Sequence, residues 1–205
     1  MENAEPQTGI IILAAGASTR MGQAKQLLRI GGESLIQRAV KTALGTIFRP
    51  VVVVLGANRE QIEPELQSTE ILKVFNPDWS TGMGSSIATG LAHLLQQTPS
   101  IQQVLILVGD QPLLKVATLT ALVELQSQTQ APLVVSQYTN TLGVPALFTQ
   151  ALFGDLAALH GAQGAKALIQ KHLQQAAVFD FPDGALDLDT PEEWAAFLTK
   201  INAPG

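Results

Sequence analysis

A loop of small residues and cations follows the first apolar run of the chain. It reads Ala14-Ala15-Gly16-Ala17-Ser18-Thr19-Arg20-Met21-Gly22-Gln23-Ala24-Lys25. Small side chains let the backbone approach a ligand closely, and free N–H groups can bind phosphate oxygens. Arg20 offers a planar fork to phosphate, and Lys25 a mobile point charge. The GxxxxGK[ST] and GxGxxG spacings are both missing, which excludes a Walker loop and disfavours a dinucleotide fold. Because small residues, two glycines and two cations coincide at the end of a predicted strand, we interpret the segment as a phosphate loop, with an ordinary surface turn as the alternative.

A second segment, from Asn76 to Ser86, leads into a helical pattern. Gly82, Ser85 and Ser86 offer backbone and hydroxyl donors at the predicted start of this helix, which suits an anion or the edge of a base. The alternative is that Ser85 simply caps the helix.

Carboxylates occur at two further places. Asp110 follows the third apolar run, where its oxygens suit Mg²⁺ held between carboxylate, water and phosphate, and Gly109 would leave room for the ligand. The alternative is an Asx turn before a proline. Asp187 and Asp189 lie on one side of an extended stretch, and either could meet Asp110 across a metal. We favour Asp189 slightly, the alternative being that it only assists the cap of the next helix.

The charges are unevenly distributed along the chain. No acid occurs between positions 6 and 32, whereas positions 180–193 hold six acids and no Lys or Arg. These segments could lie together around a polyphosphate and its metal ion, although two solvated loops would give the same pattern. The net charge of −5 argues against a nucleic-acid partner.

Apolar runs alternate with helical patterns along the chain. Strands are predicted at 9–14, 50–55 and 103–108, with weaker ones at 72–75, 132–136 and 176–181. Helices are predicted to begin at Ser34 and Thr190, each with a capping box, near Gly84, and around Val116. This order predicts a doubly wound, mostly parallel sheet in a three-layer α/β/α fold. We expect residues 1–8 to form a tail and residues 9–205 a single domain.

Composition restricts the location and the chemistry. The 205 residues include no cysteine, which excludes disulfides and zinc–thiolate sites. The first residues do not resemble a signal peptide, and no apolar run approaches the roughly 20 residues of a membrane helix. We therefore expect a cytoplasmic protein that makes no contact with a membrane.

The segment LAAGASTRMGQAK resembles the LAAGxSxRMGxxK signature of the MobA-like nucleotidyltransferases, and most closely that of the molybdenum cofactor cytidylyltransferases. The resemblance implies a Rossmann-like nucleotidyltransferase domain. It also extends to an N-x-x-W segment at Asn76, a GDxP segment at Asp110 and a DIDTPED-like segment at Asp187. By position, it assigns to the nucleotide Leu13, Ala14, Ala15, Gly16, Arg20, Met21, Gly22, Lys25, Gly82, Ser85, Ser86 and Asp110.

The resemblance implies an activity as well. Arg20, Lys25 and Asp110 would carry the reaction, with Mg²⁺ on Asp110 and on Asp189 or Asp187. CMP would pass from CTP to the terminal phosphate of molybdopterin-bound molybdenum, with a molybdoenzyme chaperone as a further partner. On the acceptor side the chain departs from the family pattern at three positions: Val144 replaces His, Ala162 replaces Asp and Lys166 replaces Arg.

Several alternatives remain at this stage. The guanylyltransferases of the family typically read LAGG where this chain has Ala15, which favours cytidine. Another reading keeps the chemistry and makes the acceptor a different phosphorylated small molecule. A reading from another class is a catalytically silent nucleotide-binding or carrier protein.

Overall fold

A central sheet with helices on both faces forms the molecule. The computed structural model describes residues 7–161, 164–186 and 188–202. The strands are β1 (Thr8–Ala14), β2 (Arg29–Ile30), β3 (Glu33–Ser34), β4 (Val51–Leu55), β5 (Ile71–Phe75), β6 (Gln103–Val108), β7 (Leu133–Tyr138), β8 (Thr141–Thr149) and β9 (Ala176–Asp180). The α-helices are α1 (Leu35–Leu44), α2 (Arg59–Ile62), α3 (Met83–Gln97), α4 (Val116–Thr129), α5 (Phe153–Ala157), α6 (Ala165–Lys171) and α7 (Pro191–Asn202).

The sheet has seven strands in the order β5-β4-β1-β6-β8-β7-β9. Strands β5, β4, β1 and β6 are mutually parallel, and β7 pairs in parallel with β9. After β1 the chain adds β4 and β5 on one side and then crosses to place β6 on the other. The doubly wound, mostly parallel sheet is therefore confirmed, and its order reverses at β1, beside β6.

Two apolar clusters cover the faces of the sheet. On one face, buried side chains of α1 and α4 pack on β1, β4 and β6; on the other, α3, α5 and α6 pack on the alternate side chains of the same strands. Adjacent residues such as Ile10 and Ile11 are both fully buried on opposite faces. Burial on both sides explains the continuous apolar runs in the sequence.

Both predicted capping boxes are present. Ser34 and Gln37 exchange the two hydrogen bonds of a capping box at the start of α1. At the start of α7, the Glu193 backbone N–H donates to Thr190 Oγ1 (3.3 Å), and the Thr190 N–H donates to Glu193 Oε2 (2.9 Å). The second box holds the acidic segment in a defined position at the end of the chain.

Strand β8 was not predicted. It contains Val144, which the resemblance assigned to the acceptor side, and runs antiparallel to β6 and β7. Gly143 and Pro145 hide the strand pattern, because both residue types are depleted in strands. None of the helices in the described part of the chain is long and apolar enough to cross a membrane.

Candidate active site

The site lies where the strand order reverses. Beyond the carboxyl ends of β1 and β6, the Gly109 N–H donates to the Leu13 carbonyl at 2.9 Å. The Ala57 N–H, just beyond β4, donates to the Ala15 carbonyl at 3.1 Å. These bonds fix the start of the phosphate loop against both neighbouring strands. Ligands of open α/β sheets bind at this position.

Three cavities open around Asp110, which borders all of them. The Trp79 cavity, about 320 Å³, is lined by Leu13, Ala15, Gly16, Ala17, Gln26, Trp79, Ser80, Gly82, Met83, Ser86, Val108 and Asp110. The Arg20 cavity, about 250 Å³, is lined by Gly16, Ser18, Thr19, Arg20, Lys25, Gln26, Asp110 and Asp189. The Tyr138 cavity, about 370 Å³, is lined by Lys25, Val108, Asp110, Gln111, Tyr138, Thr139, Thr141, Gly184, Ala185, Leu186 and Leu188.

The phosphate loop is held in shape by its own polar groups. Thr19–Met21 forms a short 3-10 helix between Ser18 (φ 52°) and Gly22 (φ 72°), both in the left-handed region. Ser18 Oγ accepts a hydrogen bond from the Lys25 backbone N–H at 3.2 Å. Glycine adopts this conformation without a steric penalty, which allows the chain to turn at Gly22.

The two cations of the loop meet one carboxylate. Arg20 and Lys25 each form an ion pair with Asp189, one on each carboxylate oxygen. The side chains of Lys25 and Asp189 are 15% and 14% exposed, whereas that of Arg20 is 73% exposed. The basic and acidic segments therefore do lie together, as the charge pattern suggested. Partial burial strengthens the pair of Lys25 and Asp189 relative to a surface ion pair.

An apolar contact joins the same two segments. Met21, Leu28 and Leu35 form a small buried cluster, and Trp194 of α7 packs against it. The Trp194 ring also lies 5.6 Å from the Phe197 ring, measured between centroids. Helix α7 thus packs through Trp194 against a cluster that includes Met21 of the phosphate loop, and Asp189 lies just before this helix.

A buried asparagine organises the start of α3. Asn76 is 1% exposed, and its Nδ2 donates to the hydroxyls of Ser85 and Ser86 at 2.9 Å each. Its Oδ1 accepts from the Asp78 N–H at 3.0 Å. The Ser85 hydroxyl also donates to the Gly82 and Asp78 carbonyls. Asn76 therefore sets the shape of one wall of the Trp79 cavity.

The Tyr138 cavity is lined by fewer charged residues than the Arg20 cavity. Burial raises the pKa of the Tyr138 phenol, which keeps it protonated near neutral pH. A Cβ atom at Gly143 would lie 2.2 Å from the Tyr138 hydroxyl, so a larger residue there would displace the Tyr138 ring. Gln111 Nε2 donates to the Val144 carbonyl at 3.0 Å. The backbone carbonyl of Val144 thus helps to position Gln111, which lines the Tyr138 cavity.

The structure brings most of the predicted site residues to the cavities. Leu13, Ala15, Gly16, Gly82, Ser86, Arg20, Lys25, Asp110 and Asp189 all line at least one of them. Four other predicted residues line none of the three. The Ala14 and Met21 side chains belong to apolar clusters, Gly22 turns the loop, and Ser85 lies in the Asn76 network.

Further expectations concern four other residues. Asp187 and Ala162 lie outside the described residues. Lys166 is exposed at the start of α6. A Cβ atom at Gly109 would lie 2.9 Å from Ile36 Cδ1, so the absent side chain makes room for the core rather than for a ligand.

Asn76 and Gln26 are among the residues of the site that were not predicted. Asn76 was only part of a quoted motif, and its buried amide network becomes visible once β5 and α3 are placed side by side. Gln26 borders both the Trp79 and the Arg20 cavities, yet it follows Lys25 in a short stretch without any pattern of its own.

The donor set suits a hard divalent cation. Asp110 and Asp189 border the same cavity as Arg20 and Lys25. Within the described ranges, no group of three His, Cys, Asp or Glu side chains forms a metal cage. Mg²⁺ commonly binds through one or two carboxylates together with substrate phosphates and water, so a pair of acids beside a phosphate loop fits it.

Fold and site together define a class. A loop with backbone N–H groups and two cations, at the reversal point of a doubly wound sheet, places the chain among α/β proteins that bind nucleotide phosphates. Residues 10–177 match the MobA-like NTP transferase domain. The chain belongs to this family and is a nucleotidyltransferase.

Several curated proteins are similar to this chain. The purine catabolism protein PucB of Bacillus subtilis is 33% identical over 195 residues, covering 90% of this chain and 92% of PucB. Alignments with three other curated relatives span only 29%, 41% and 52% of those proteins.

Solved structures share the fold across nearly the whole chain. The Mycobacterium sp. strain JC1 homologue of Rv0371c has a TM-score of 0.82 at 26% identity, covering 95% of this chain and 96% of that protein. Rv0371c of Mycobacterium tuberculosis, in complex with manganese, has a TM-score of 0.78 at 23% identity, covering 95% of this chain and 99% of that protein.

Proposed function

We propose that this nucleotidyltransferase transfers CMP from CTP to the terminal phosphate of a molybdopterin-type molybdenum cofactor and releases pyrophosphate. The observation that carries the proposal is the meeting of three cavities at Asp110. In this account the nucleoside occupies the Trp79 cavity, the phosphates occupy the Arg20 cavity, and the acceptor occupies the Tyr138 cavity. The α-phosphorus then lies where all three volumes join.

The reaction is an in-line displacement. An oxygen of the acceptor phosphate forms a bond to the α-phosphorus of CTP, and the bond from that phosphorus to the bridging oxygen breaks. The electron pair leaves with pyrophosphate. A phosphate nucleophile is already ionised near neutral pH, so the site needs no strong general base. Positioning and charge neutralisation then supply the rate enhancement.

The chain's own cations act on the phosphates. Lys25 borders both the Arg20 and the Tyr138 cavities, so its ammonium can contact the acceptor phosphate as well as the nucleotide. Arg20 is more exposed and can follow the leaving pyrophosphate. For both to bind phosphate, their ion pairs with Asp189 must open.

Mg²⁺ is the cation we propose for the site, held by Asp110 and by Asp189 or Asp187. It would supply neutralisation of the phosphate charge when bound. Support comes from the pair of carboxylates beside the phosphate loop and from the manganese complex of Rv0371c. We keep the cytoplasm as the expected location, and a molybdoenzyme chaperone as the expected delivery partner.

The choice of base rests on Ala15. This residue lines the Trp79 cavity and is 6% exposed. The resemblance to the cytidine-specific loop favours CTP, and GTP is the alternative. The acceptor is the other open choice, because Val144 and Lys166 depart from the family pattern and the name of PucB mentions no acceptor.

Pyrophosphate release tests the proposal. CTP, GTP, ATP and UTP are compared with Mg²⁺ and molybdenum cofactor, and we expect turnover with CTP. Turnover with GTP alone would contradict the assignment of the base. Turnover of CTP only with other phosphorylated acceptors would contradict the assignment of the acceptor. CTP binding with no turnover in any mixture would support a catalytically silent protein.

A further inference from the structure

Gln26 occupies a buried position that the fold alone does not explain. It lies in the short 3-10 helix Lys25–Leu27, directly after the phosphate-loop lysine, and is only 5% exposed. Its side-chain oxygen Oε1 is buried and has no hydrogen-bond partner among the described residues. On either side of it in the chain, Ala24 and Leu28 are buried too, and both are apolar.

A buried amide oxygen without a partner is unfavourable. The group loses its hydrogen bonds to water on folding, and nothing in the protein replaces them. Most buried polar atoms in proteins are paired, and the exceptions often lie at functional sites. An apolar side chain of similar length at this position would avoid the cost. The glutamine therefore points to a ligand that supplies the missing hydrogen bond.

The position of Gln26 restricts which part of a nucleotide can reach it. It borders the Trp79 cavity and the Arg20 cavity but does not line the Tyr138 cavity. This inference rests on the proposed function, in which those two cavities hold the nucleoside and the phosphates. The parts of a nucleoside triphosphate between its base and its outer phosphates are the ribose and the α-phosphate.

The chemistry of Oε1 decides between these two parts. A carbonyl oxygen accepts a hydrogen bond and cannot donate one, and phosphate oxygens are acceptors as well. Ribose hydroxyls do donate. We propose that the Gln26 carbonyl accepts a hydrogen bond from a ribose hydroxyl, which makes Gln26 a specificity-determining residue that selects ribonucleotides over deoxyribonucleotides.

The test compares nucleotides rather than overall activity. Wild type and Gln26→Met, which keeps the length of the side chain and removes the amide, are titrated by calorimetry with CTP, 2′-deoxy-CTP and 3′-deoxy-CTP in Mg²⁺. We expect wild type to bind CTP roughly tenfold more tightly than the analogue lacking the contacted hydroxyl. In Gln26→Met that ratio falls to near one, while the affinity for the analogue stays as in wild type.

Two results would overturn the inference. One is an unchanged ratio in Gln26→Met. The other is an equal loss of affinity for all three nucleotides, which would indicate an amide that is turned over and donates to phosphate, or a structural role. The matched control is Gln61→Met, which makes the same change at an exposed glutamine in α2 outside the three cavities and is expected to match wild type.

The inference and the proposed function fail in different ways. If wild type binds and turns over CTP but the ratio does not depend on Gln26, only the inference is wrong. If GTP is the nucleotide turned over, the titration uses GTP and its deoxy analogues. If wild type binds none of the four nucleotides with Mg²⁺, both the inference and the proposed function are contradicted.

Discussion

At the scale of single residues, the site is organised by the charges around Asp189. This carboxylate pairs with both cations of the phosphate loop and partly neutralises their charge. A triphosphate and its metal must rearrange these pairs. Like charges disfavour the entry of free triphosphate, and a divalent cation removes that conflict.

The substitution Asp189→Asn therefore has opposite effects with and without metal. Without Mg²⁺, in EDTA, we expect the affinity for CTP to rise, on the order of tenfold, because Arg20 and Lys25 lose their competing anion. With Mg²⁺, turnover falls. Calorimetry and initial rates measure the two effects. Asp183→Asn, which removes an exposed acid paired with Lys115, is the control and changes neither value. An unchanged metal-free affinity would contradict the role of Asp189.

A second residue-scale prediction concerns Asp110, which borders all three cavities. Asp110→Asn keeps the size of the side chain and removes its charge. We expect turnover to fall about 10²- to 10³-fold, the usual loss when one group that stabilises the transition state is removed. Initial rates over a range of Mg²⁺ concentrations test this, with the melting temperature as the check on folding. Wild-type turnover at limiting Mg²⁺ would rule out the metal assignment.

At the scale of elements, two contacts shape the site from outside the cavities. Trp194 of α7 packs against the cluster that contains Met21 of the phosphate loop. Gly143 of β8 lies next to the Tyr138 hydroxyl. In the proposed assignment of the cavities, the first contact supports the nucleotide side of the site and the second supports the acceptor side. Substitutions at the two places should therefore separate the two substrates.

The Trp194 contact predicts a loss on the nucleotide side. Trp194→Ala removes the ring that packs against the cluster of Met21, Leu28 and Leu35, so Asp189 and the phosphate loop lose a shared support. We expect a several-fold rise in the KM for nucleotide and a lower melting temperature. Ile201→Ala changes a side chain that is 38% exposed on the same helix and serves as the control. Equal kinetics in the two variants would show that α7 does not support the loop.

Gly143 predicts the complementary loss. In Gly143→Ala the new methyl group would lie 2.2 Å from the Tyr138 hydroxyl, so the ring must move within the acceptor cavity. We expect the KM for the acceptor to rise while the KM for nucleotide stays unchanged. Gly154→Ala is matched chemically, because its Cβ would meet nothing within 4 Å. A rise in the KM for nucleotide alone would show that Tyr138 lies on the nucleotide side of the site, which contradicts the prediction.

At the scale of the whole molecule, the sequence predicts the centre of the fold better than its acceptor side. Strands such as Val51–Leu55 are buried on both faces, so their composition alone identifies them. Strand β8 escapes prediction because Gly143 and Pro145 interrupt the strand pattern. The prediction that Gly109 leaves room for a ligand was wrong, because a Cβ atom there would meet Ile36. The position of Ile36 depends on packing between distant segments, which the local sequence does not reveal.

The same difference applies to the site. The phosphate loop is contiguous, so its residue types predicted its chemistry. Gln26 stands out in the site because its side-chain oxygen is buried. Asn76 shapes the site because its amide donates to Ser86 of α3, a helix that begins several residues later. Such properties arise only after the chain has folded, and they do not appear as a spacing of residue types.

The most direct test of the central claim is to identify the product by mass spectrometry. Wild type is incubated with CTP, Mg²⁺ and molybdenum cofactor. We expect an adduct in which the acceptor carries CMP through a new phosphate–phosphate linkage, formed in equal amount with pyrophosphate and strongly reduced in Asp110→Asn. Free CMP and pyrophosphate without an adduct would show hydrolysis instead of transfer, and would contradict the account.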